Sequence, residues 1–555
     1  FYNEKIFYPK LLTCDFEFSL ELFLKMYNYL KIKEKIKMKI LPIGVQDFVQ
    51  LRQDDLLYVD KTAKLLELIQ NGRRYFLSRP RRFGKSLTLS TLEAMFKGET
   101  ELFKGLKAEE WVKKQSENPL PVLRFDMSGL GSYSNAEELN LSIMRRLRDV
   151  AEDNSLLVED ERTCDELLRK IIRLLQKDYG LVVILIDEYD KPILDNITNI
   201  EKANEMREVL RSFYTMIKSC DDYLRFVFIT GISKFSKTGI FSAMNNLSDI
   251  SMLKRYGDIV GYTQNELEDN FGEWITSSSK IMSLSKDELL AKIKAYYDGF
   301  SFDGSIRLYN PFSILNFFFD EKFGNYWYTS GSPSFIAKYM KEHKIQNPDE
   351  YRHIEVPLDF ADSHEIESSK PESFLYQSGY LTIEKLENDV ITLDYPNEEV
   401  RKSLVRMYLD EFYHVNSFIT LGNQIWQFLT AGDIDQVVAV YNIAIADIPY
   451  EDFPNRDEFW YRSLFLMLLR GAGFIPFAEV HTYKGRADVV IQFERQIVVL
   501  EFKFAEKSSD VNKKKDEGLE QINEKGYARS YDAEGRKVIS AVVVVDDENR
   551  KVLMF

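Results

Sequence analysis

The stretch Tyr75-Phe-Leu-Ser-Arg79-Pro-Arg-Arg82-Phe83-Gly84-Lys85-Ser86 decides how the chain is read. A short apolar strand runs into a loop, and the loop opens a helix whose Leu89, Leu92 and Phe96 fall on one face. A phosphate-binding loop needs backbone N–H groups aimed at a β-phosphate, with a helix N-terminus behind them. It also needs a lysine for the β and γ oxygens and a hydroxyl for Mg2+. Gly84, Lys85 and Ser86 supply those parts. The departure is Arg79, which stands where G-x-x-x-x-G-K-[ST] has its first glycine, so Gly-Lys-Ser alone also fits an ordinary solvated helix start.

A second element strengthens the phosphate reading. Leu181-Val-Val-Ile-Leu-Ile-Asp187-Glu188 has no polar alternation, as expected of a strand buried on both faces, and it ends in two carboxylates. Acids at the end of a buried strand need a partner. Asp187 is expected to hold Mg2+ through water and Glu188 to polarise the attacking water. The strand Phe226–Ile229 ends in Thr230-Gly-Ile-Ser233, where either hydroxyl is placed to sense the γ-phosphate or simply to cap the strand. The expected cofactors are ATP and Mg2+. Arg79, Arg82, Phe83, Gly84, Lys85, Ser86, Asp187, Thr230 and Ser233 are expected around the nucleotide, with Ser86 and Asp187 at the metal.

The rest of the chain bounds this reading. At 555 residues it is too long for one core, and its hydrophobic content is that of a globular protein. Its formal charge of −15 argues against a globally basic nucleic-acid binder but leaves room for a local basic groove. Cys14, Cys164 and Cys220 are dispersed and form no metal or disulfide pattern, so a cytoplasmic location is expected. No apolar run is long enough to span a membrane. Residues 1–37 read as a helical extension ahead of Met38 and lack the shape of a signal peptide. Between Glu372 and Val400 a short helix precedes two alternating strands around Asn388-Asp389, the pattern of a hairpin.

Near the C-terminus, Gly485-Arg-Ala-Asp488 lies in one strand pattern and Val498-Val-Leu-Glu501-Phe-Lys503 in the next, joined at Glu494-Arg495. Alternation puts Glu501 and Lys503 on the same face. If the strands are antiparallel neighbours, Asp488 and Glu501 can share a divalent ion, and Lys503 can orient or deprotonate a water. The same residues also fit an ion-pair cluster that finishes a strand. Gln521 and Lys525, one turn apart on a later helix, are candidates to face this site, and Glu479 is a further candidate acid.

Tyr58-Val-Asp-Lys-Thr62, Ser78-Arg-Pro-Arg-Arg-Phe-Gly-Lys-Ser86, Ile186-Asp-Glu-Tyr-Asp-Lys-Pro192 and Thr230-Gly-Ile-Ser-Lys-Phe235 together resemble a bacterial AAA-ATPase-like family that carries a C-terminal PD-(D/E)XK nuclease domain. Tyr297-Asp-Gly, Tyr309-Asn-Pro-Phe-Ser313, Leu375-Tyr-Gln-Ser-Gly-Tyr-Leu-Thr382 and Pro396-Asn-Glu-Glu-Val400 extend the resemblance. It implies an α/β fold: a P-loop parallel sheet of AAA/ASCE type with a helical lid and a winged-helix-like segment, then a PD-(D/E)XK nuclease-like α/β domain. The expected divisions are an extension at 1–37, a P-loop domain at 38–260, a lid at 261–345, a winged-helix-like and helical connector at 346–455, and the nuclease-like domain at 456–555.

The resemblance also implies Arg in place of the first P-loop glycine and catalytic roles for Glu188, Asp488, Glu501 and Lys503, with Asp488 and Glu501 as metal ligands. The implied partner is nucleic acid, DNA by expectation, with a homo-oligomer as a further expectation and no membrane. The expected function is an ATPase coupled to a Mg2+-dependent nuclease. The alternative is an ATP-operated signalling or scaffold switch whose nuclease-like domain binds without cutting. AAA-type sites often take an arginine from a neighbouring subunit, and Lys254-Arg255 is one candidate for it.

Overall fold

A computed structural model describes residues 38–555, apart from 159–160, 198, 235–245, 330–335, 338–339, 341–350, 362–369, 412, 414–417, 449–456, 475, 482–484, 494–495, 528–530 and 532–534. The expectations for residues 1–37, Phe235, the turn at Glu494-Arg495 and the side chain of Glu479 fall outside what is described.

Strand β1 (Arg74–Ser78) feeds the loop that opens helix α1 (Lys85–Lys97), and β2 (Val122–Asp126) follows. Helix α2 (Cys164–Tyr179) leads to β3 (Val182–Asp187), and α3 (Ile200–Ser219) to β4 (Leu224–Gly231) and the two-residue β5 (Ser248–Asp249). These strands form one sheet in the order β2-β3-β4-β1-β5, parallel at every pairing. All six residues of β3 are buried, which explains why its sequence lacks polar alternation. Because every strand points the same way, their carboxyl ends gather on one edge, where α/β sheets bind ligands. The order matters there: β4 lies between β1 and β3, so its tip separates the phosphate loop from Asp187.

Two helices, α4 (Gln264–Met282) and α5 (Lys286–Tyr297), each begin with a capping box, Thr263 with Glu266 and Ser285 with Glu288. With α6 (Pro311–Asp320) they bury Leu267, Phe271, Ile293, Tyr297 and Phe318 in a core shared with Leu41 and Val59. Strand β6 (Ile354–Pro357), helix α7 (Pro371–Ser378) and the hairpin β7 (Thr382–Glu387) and β8 (Val390–Asp394) follow, with the three strands in one antiparallel sheet. The hairpin turns on Asn388 and Asp389, both at positive φ (51° and 64°), the conformation a two-residue turn of matching twist requires.

Helix α8 (Glu398–Glu411) follows, then helices Phe418–Ala431 and Ile434–Ala446. The C-terminal region is α9 (Glu458–Gly471), β9 (Phe477–His481), β10 (Arg486–Gln492), β11 (Gln496–Ala505), α10 (Val511–Lys525), β12 (Lys537–Asp546) and β13 (Lys551–Met554). Its sheet runs β13-β12-β11-β10-β9, parallel only between β11 and β12, with α10 as the crossover helix. This mixed αβββαβ arrangement, with β13 added at the edge, is the kind of α/β domain expected for the C-terminal region. No helix among the described residues is long and apolar enough to cross a membrane.

Candidate functional sites

Gly84 sits at φ 94° immediately before α1, a conformation that suits glycine and turns the loop so that the helix N-terminus faces the cavity. Lys85 folds back under the loop and donates to the carbonyls of Arg79 and Pro80 at 2.8 and 2.9 Å. Its burial lowers the ammonium's pKa, against the pull of Asp187 and Glu188. The Ser86 hydroxyl donates to Asp187 Oδ2 at 2.5 Å, and the Thr230 hydroxyl to Oδ1 of the same carboxylate at 2.6 Å. A row thus crosses three elements, from the start of α1 through the end of β3 to the tip of β4. A hydroxyl beside a buried carboxylate is the donor set that a nucleotide-bound magnesium takes, so these residues fit the ion.

Glu188 follows at φ 50°, outside the strand, and lines the cavity. Burial pushes its carboxyl pKa up, with the neighbouring acids adding to the effect and Lys85 opposing it. A carboxylate with raised proton affinity beside a phosphate loop is suited to accept a proton from water. The cavity measures about 470 Å³ and continues from Lys85, Ser86 and Glu188 to an apolar wall of Ile43, Tyr262, Phe312 and Leu315. That volume suits a nucleotide, with the phosphate end polar and the far end flat and apolar.

The structure separates some expected residues from this group. The side chain of Arg79 turns away from the cavity: its guanidinium donates to the Ser78 and Ser251 carbonyls at 2.9 and 2.6 Å and lies 4.1 Å above the Phe302 ring. The tail of β5 passes that side of the loop, and the buried cation satisfies its carbonyls there. Only the Arg79 main chain serves the site, through its carbonyl on Lys85. Phe83, by contrast, lines the cavity as expected, and packs edge-on against Phe300 and Phe302 to anchor the loop. Arg82 lies over Phe312 at the cavity wall.

Ser233 is buried behind Asp190, which accepts the backbone N–H groups of Ile232 and Ser233 at 3.0 and 2.6 Å. Ser233 therefore ties the two strand tips together, and its side chain does not line the cavity. Gly231 allows this junction, since a Cβ there would meet the Tyr189 ring at 2.4 Å. Arg255 pairs with Glu67, and neither it nor Lys254 lines the cavity. Arg81 and Lys191 line the cavity but were not singled out in the sequence. The signal for Arg81 was its place inside the loop; that for Lys191 was the Asp-Lys pair just after the acidic strand end.

In the C-terminal region, Val489 pairs with Leu500 in antiparallel register, which sets Asp488 opposite Glu501. The main-chain ladder opens there, and Asp488 Oδ2 instead accepts the Phe502 N–H at 2.7 Å. Its Oδ1 accepts from Arg462 of α9 at 2.7 Å. Lys503 Nζ reaches Glu501 Oε1 at 2.6 Å, while Glu501 Oε2 is buried with no hydrogen-bond partner. Burial pushes the Glu501 carboxyl up to about 7, Lys503 opposes this, and Asp488 reinforces it. An orphaned buried carboxylate oxygen facing a second acid is a donor set that a divalent cation would complete.

Arg462, Glu458 and Tyr527 were not foreseen. Glu458, in the first turn of α9, has its pKa raised by burial and then by Asp488. Gln521 donates to the Tyr527 hydroxyl at 3.0 Å, and Lys525 lies against Gly485. No local pattern marks Arg462 and Glu458 of α9 as a third wall of this site, because they lie more than twenty residues upstream of Asp488.

Fold and site together define a P-loop nucleoside-triphosphatase fold joined to a PD-(D/E)XK fold. Residues 42–241 match the family described as Predicted AAA-ATPase, and residues 456–554 match the PD-(D/E)XK nuclease superfamily. A curated relative, an uncharacterized protein in the vnfD 5' region of Azotobacter chroococcum mcd 1, is 34% identical over 531 residues, covering 93% of this chain and 98% of its own. The chain belongs to this family of AAA-ATPase-like proteins with a C-terminal PD-(D/E)XK domain. The structure of the Aeropyrum pernix ORC1 protein in complex with DNA aligns with 62% of this chain and 92% of its own, at 9% identity and a TM-score of 0.23; that likeness is too low to carry an argument.

Proposed function

We propose that the chain binds and hydrolyses ATP with Mg2+ in the cavity at the phosphate loop, and that this cycle controls a Mg2+-dependent nuclease domain acting on nucleic acid, with DNA the expected substrate. The observation that carries the reading is the row Ser86, Asp187 and Thr230 beside Lys85 and Glu188 at the head of a nucleotide-sized cavity.

In this mechanism Lys85 releases the loop carbonyls and turns to the β and γ oxygens, while the N-terminal amides of α1 cradle the phosphates. Ser86 and Asp187 hold the magnesium ion, which supplies charge neutralisation at the phosphate oxygens when bound. Glu188 orients the attacking water and takes its proton. Thr230 keeps Asp187 in place. The division into 38–260, 261–345, 346–455 and 456–555 is the proposed working organisation. A route between these parts is supported by Gly379 at the end of α7, where a Cβ would meet Pro80 of the loop at 2.8 Å, and by Gln377 accepting the Lys234 N–H at 3.1 Å. In the nuclease domain Asp488 and Glu501 hold the metal and Lys503 positions the water. Free buried Cys164 and Cys220 support a reducing, cytoplasmic setting.

Phosphate release from the purified chain tests the first half: Lys85→Ala should lose nucleotide binding and Glu188→Gln should bind ATP without turnover. Equal rates in wild type and both variants would sink the ATPase reading. Nicking of plasmid DNA with Mg2+ or Mn2+, against Glu501→Ala, tests the second half. One observation favours the alternative of a switch that binds without cutting: Asp488 and Glu501 are already engaged by Arg462 and Lys503. No cleavage under any nucleotide condition, with the biological phenotype of Glu501→Ala intact, would select that alternative.

A further inference from the structure

The phosphate loop carries three arginines, Arg79, Arg81 and Arg82, and the structure gives each different surroundings. Arg79 is buried away from the cavity against Ser251 and Phe302. Arg82 lies over the Phe312 ring at 4.9 Å. Arg81 lines the cavity, and among the described residues its guanidinium has no hydrogen-bond or ion-pair partner. Among the described residues, no carboxylate pairs with this cation.

The position of Arg81 is set by covalent geometry. The Pro80 carbonyl that accepts from Lys85 Nζ belongs to the peptide whose nitrogen is that of Arg81. Arg81 therefore leaves the loop one peptide from the ammonium that serves the β and γ oxygens. Its charge reaches Lys85 and adds to the lowering of that group's proton affinity. Two cations held this close, with only one of them satisfied by carbonyls, make a place for an anion. Of the further cations lining the cavity, Lys191 is held by Asp195 one turn along, Lys61 by Glu266, and Arg82 rests on the Phe312 ring.

We propose that Arg81 is the catalytic arginine of this site, supplied by the chain itself, so that turnover requires no arginine from a second subunit. The proposal rests on the ATPase reading above. In the reaction, a water oxygen forms a bond to the γ-phosphorus as the bond from that phosphorus to the β,γ-bridging oxygen breaks. ADP leaves with the electron pair, and Glu188 takes the water's proton and returns it to solvent. Arg81 forks onto the β,γ-bridging oxygen and a non-bridging γ oxygen and offsets the charge that accumulates at the leaving side, without any covalent change of its own. A lysine would supply charge but not the two-pronged donor geometry.

The test uses the full chain with Arg81→Ala and Arg81→Lys. Because Arg81 has no partner among the described residues, both variants should match the wild-type melting temperature. ADP affinity, read with a fluorescent N-methylanthraniloyl nucleotide, should change by less than about threefold. Turnover should fall by about 10²- to 10³-fold in Arg81→Ala and be poorly restored in Arg81→Lys, given the scale of arginine contributions to phosphoryl transfer. Trapping of ADP with aluminium fluoride should be lost while ADP binding persists. The wild-type rate per chain should be constant across a hundredfold dilution, and mixing with Glu188→Gln chains should not rescue Arg81→Ala.

Wild-type turnover in Arg81→Ala would overturn the assignment. So would ADP affinity falling in step with turnover, since that marks a ground-state phosphate holder. Rescue by Glu188→Gln chains, or a per-chain rate that climbs with concentration, would show the arginine acting from a neighbour. A wild-type chain that binds no nucleotide would remove the ATPase reading itself, and this assignment with it.

Discussion

Glu399→Gln should make the protein more stable at pH 8 while leaving it near wild type at pH 5. Glu399 lies in the first turn of α8 with no exposed surface. Its Oε2 accepts from the Ser313 hydroxyl of α6 at 2.7 Å, and its Oε1 accepts the Trp327 N–H at 2.9 Å. One carboxylate thus joins the helical region to the connector. Burial pushes its carboxyl from the ordinary 4.5 up to about 7, and the two hydrogen bonds only partly oppose this.

That difference corresponds to about 3 kcal/mol. The unfolded chain releases the proton near 4.5 and the folded protein only near 7, so the folded state binds more protons between these values. Stability is therefore complete below pH 4.5, falls as pH rises, and is fully reduced above 7. Gln cannot ionise, so it lacks this loss. It keeps only one acceptor oxygen for two donors, a cost of about 1 kcal/mol at every pH. The two effects nearly cancel at pH 5, and at pH 8 the variant gains about 2 kcal/mol.

Thermal unfolding of both proteins from pH 5 to 8 reads this directly. For a cooperative unit of about 150–250 residues the gain is roughly 4–8 °C in Tm at pH 8. A variant that melts below wild type at every pH, or a Tm difference that stays flat across the range, would refute the reasoning.

Three further outcomes follow from the same geometry. Gly299→Ala places a Cβ 2.0 Å from the Pro396 carbonyl oxygen at a φ of 108°, so it should destabilise the seam between the helical region and the connector by more than about 3 kcal/mol, measured by denaturant melts. Thr230→Val removes the hydroxyl from Asp187 Oδ1 and should cost about 1–3 kcal/mol in stability while weakening Mg2+-dependent nucleotide binding; unchanged Mg2+ dependence would mean that Thr230 does not hold that carboxylate. Arg79→Ala strips the donors from the Ser78 and Ser251 carbonyls and should lower the Tm more than it raises the ATP Kd, whereas a nucleotide-contacting arginine would show the reverse order.

Much of the architecture is local enough to be legible in the chain itself. The uninterrupted apolar run of β3 and the Gly-Lys-Ser start of α1 specify a buried strand ending in acids and a phosphate loop. The Asn388-Asp389 pair specifies a tight hairpin, and the alternation Glu501-Phe-Lys503 puts those two side chains on one face of their strand. Each depends on neighbours only a few residues away, through backbone conformation and side-chain alternation.

Other features depend on segments far apart in the chain. That Arg79 turns from the cavity is decided by Ser251 and Phe302, and that Arg82 rests on the cavity wall by Phe312, three residues from separate elements. Arg462 reaches Asp488 only because α9 packs across the C-terminal sheet, and Glu399 is dry only because α6 and Trp327 close over it. The sequence by itself determined the two folds and the motif residues of both sites, because strand, loop and helix signals are written in short windows. The tertiary structure alone decided which charges are buried, paired or left facing a cavity, because desolvation and Coulomb interactions depend on distances that the order of residues does not contain.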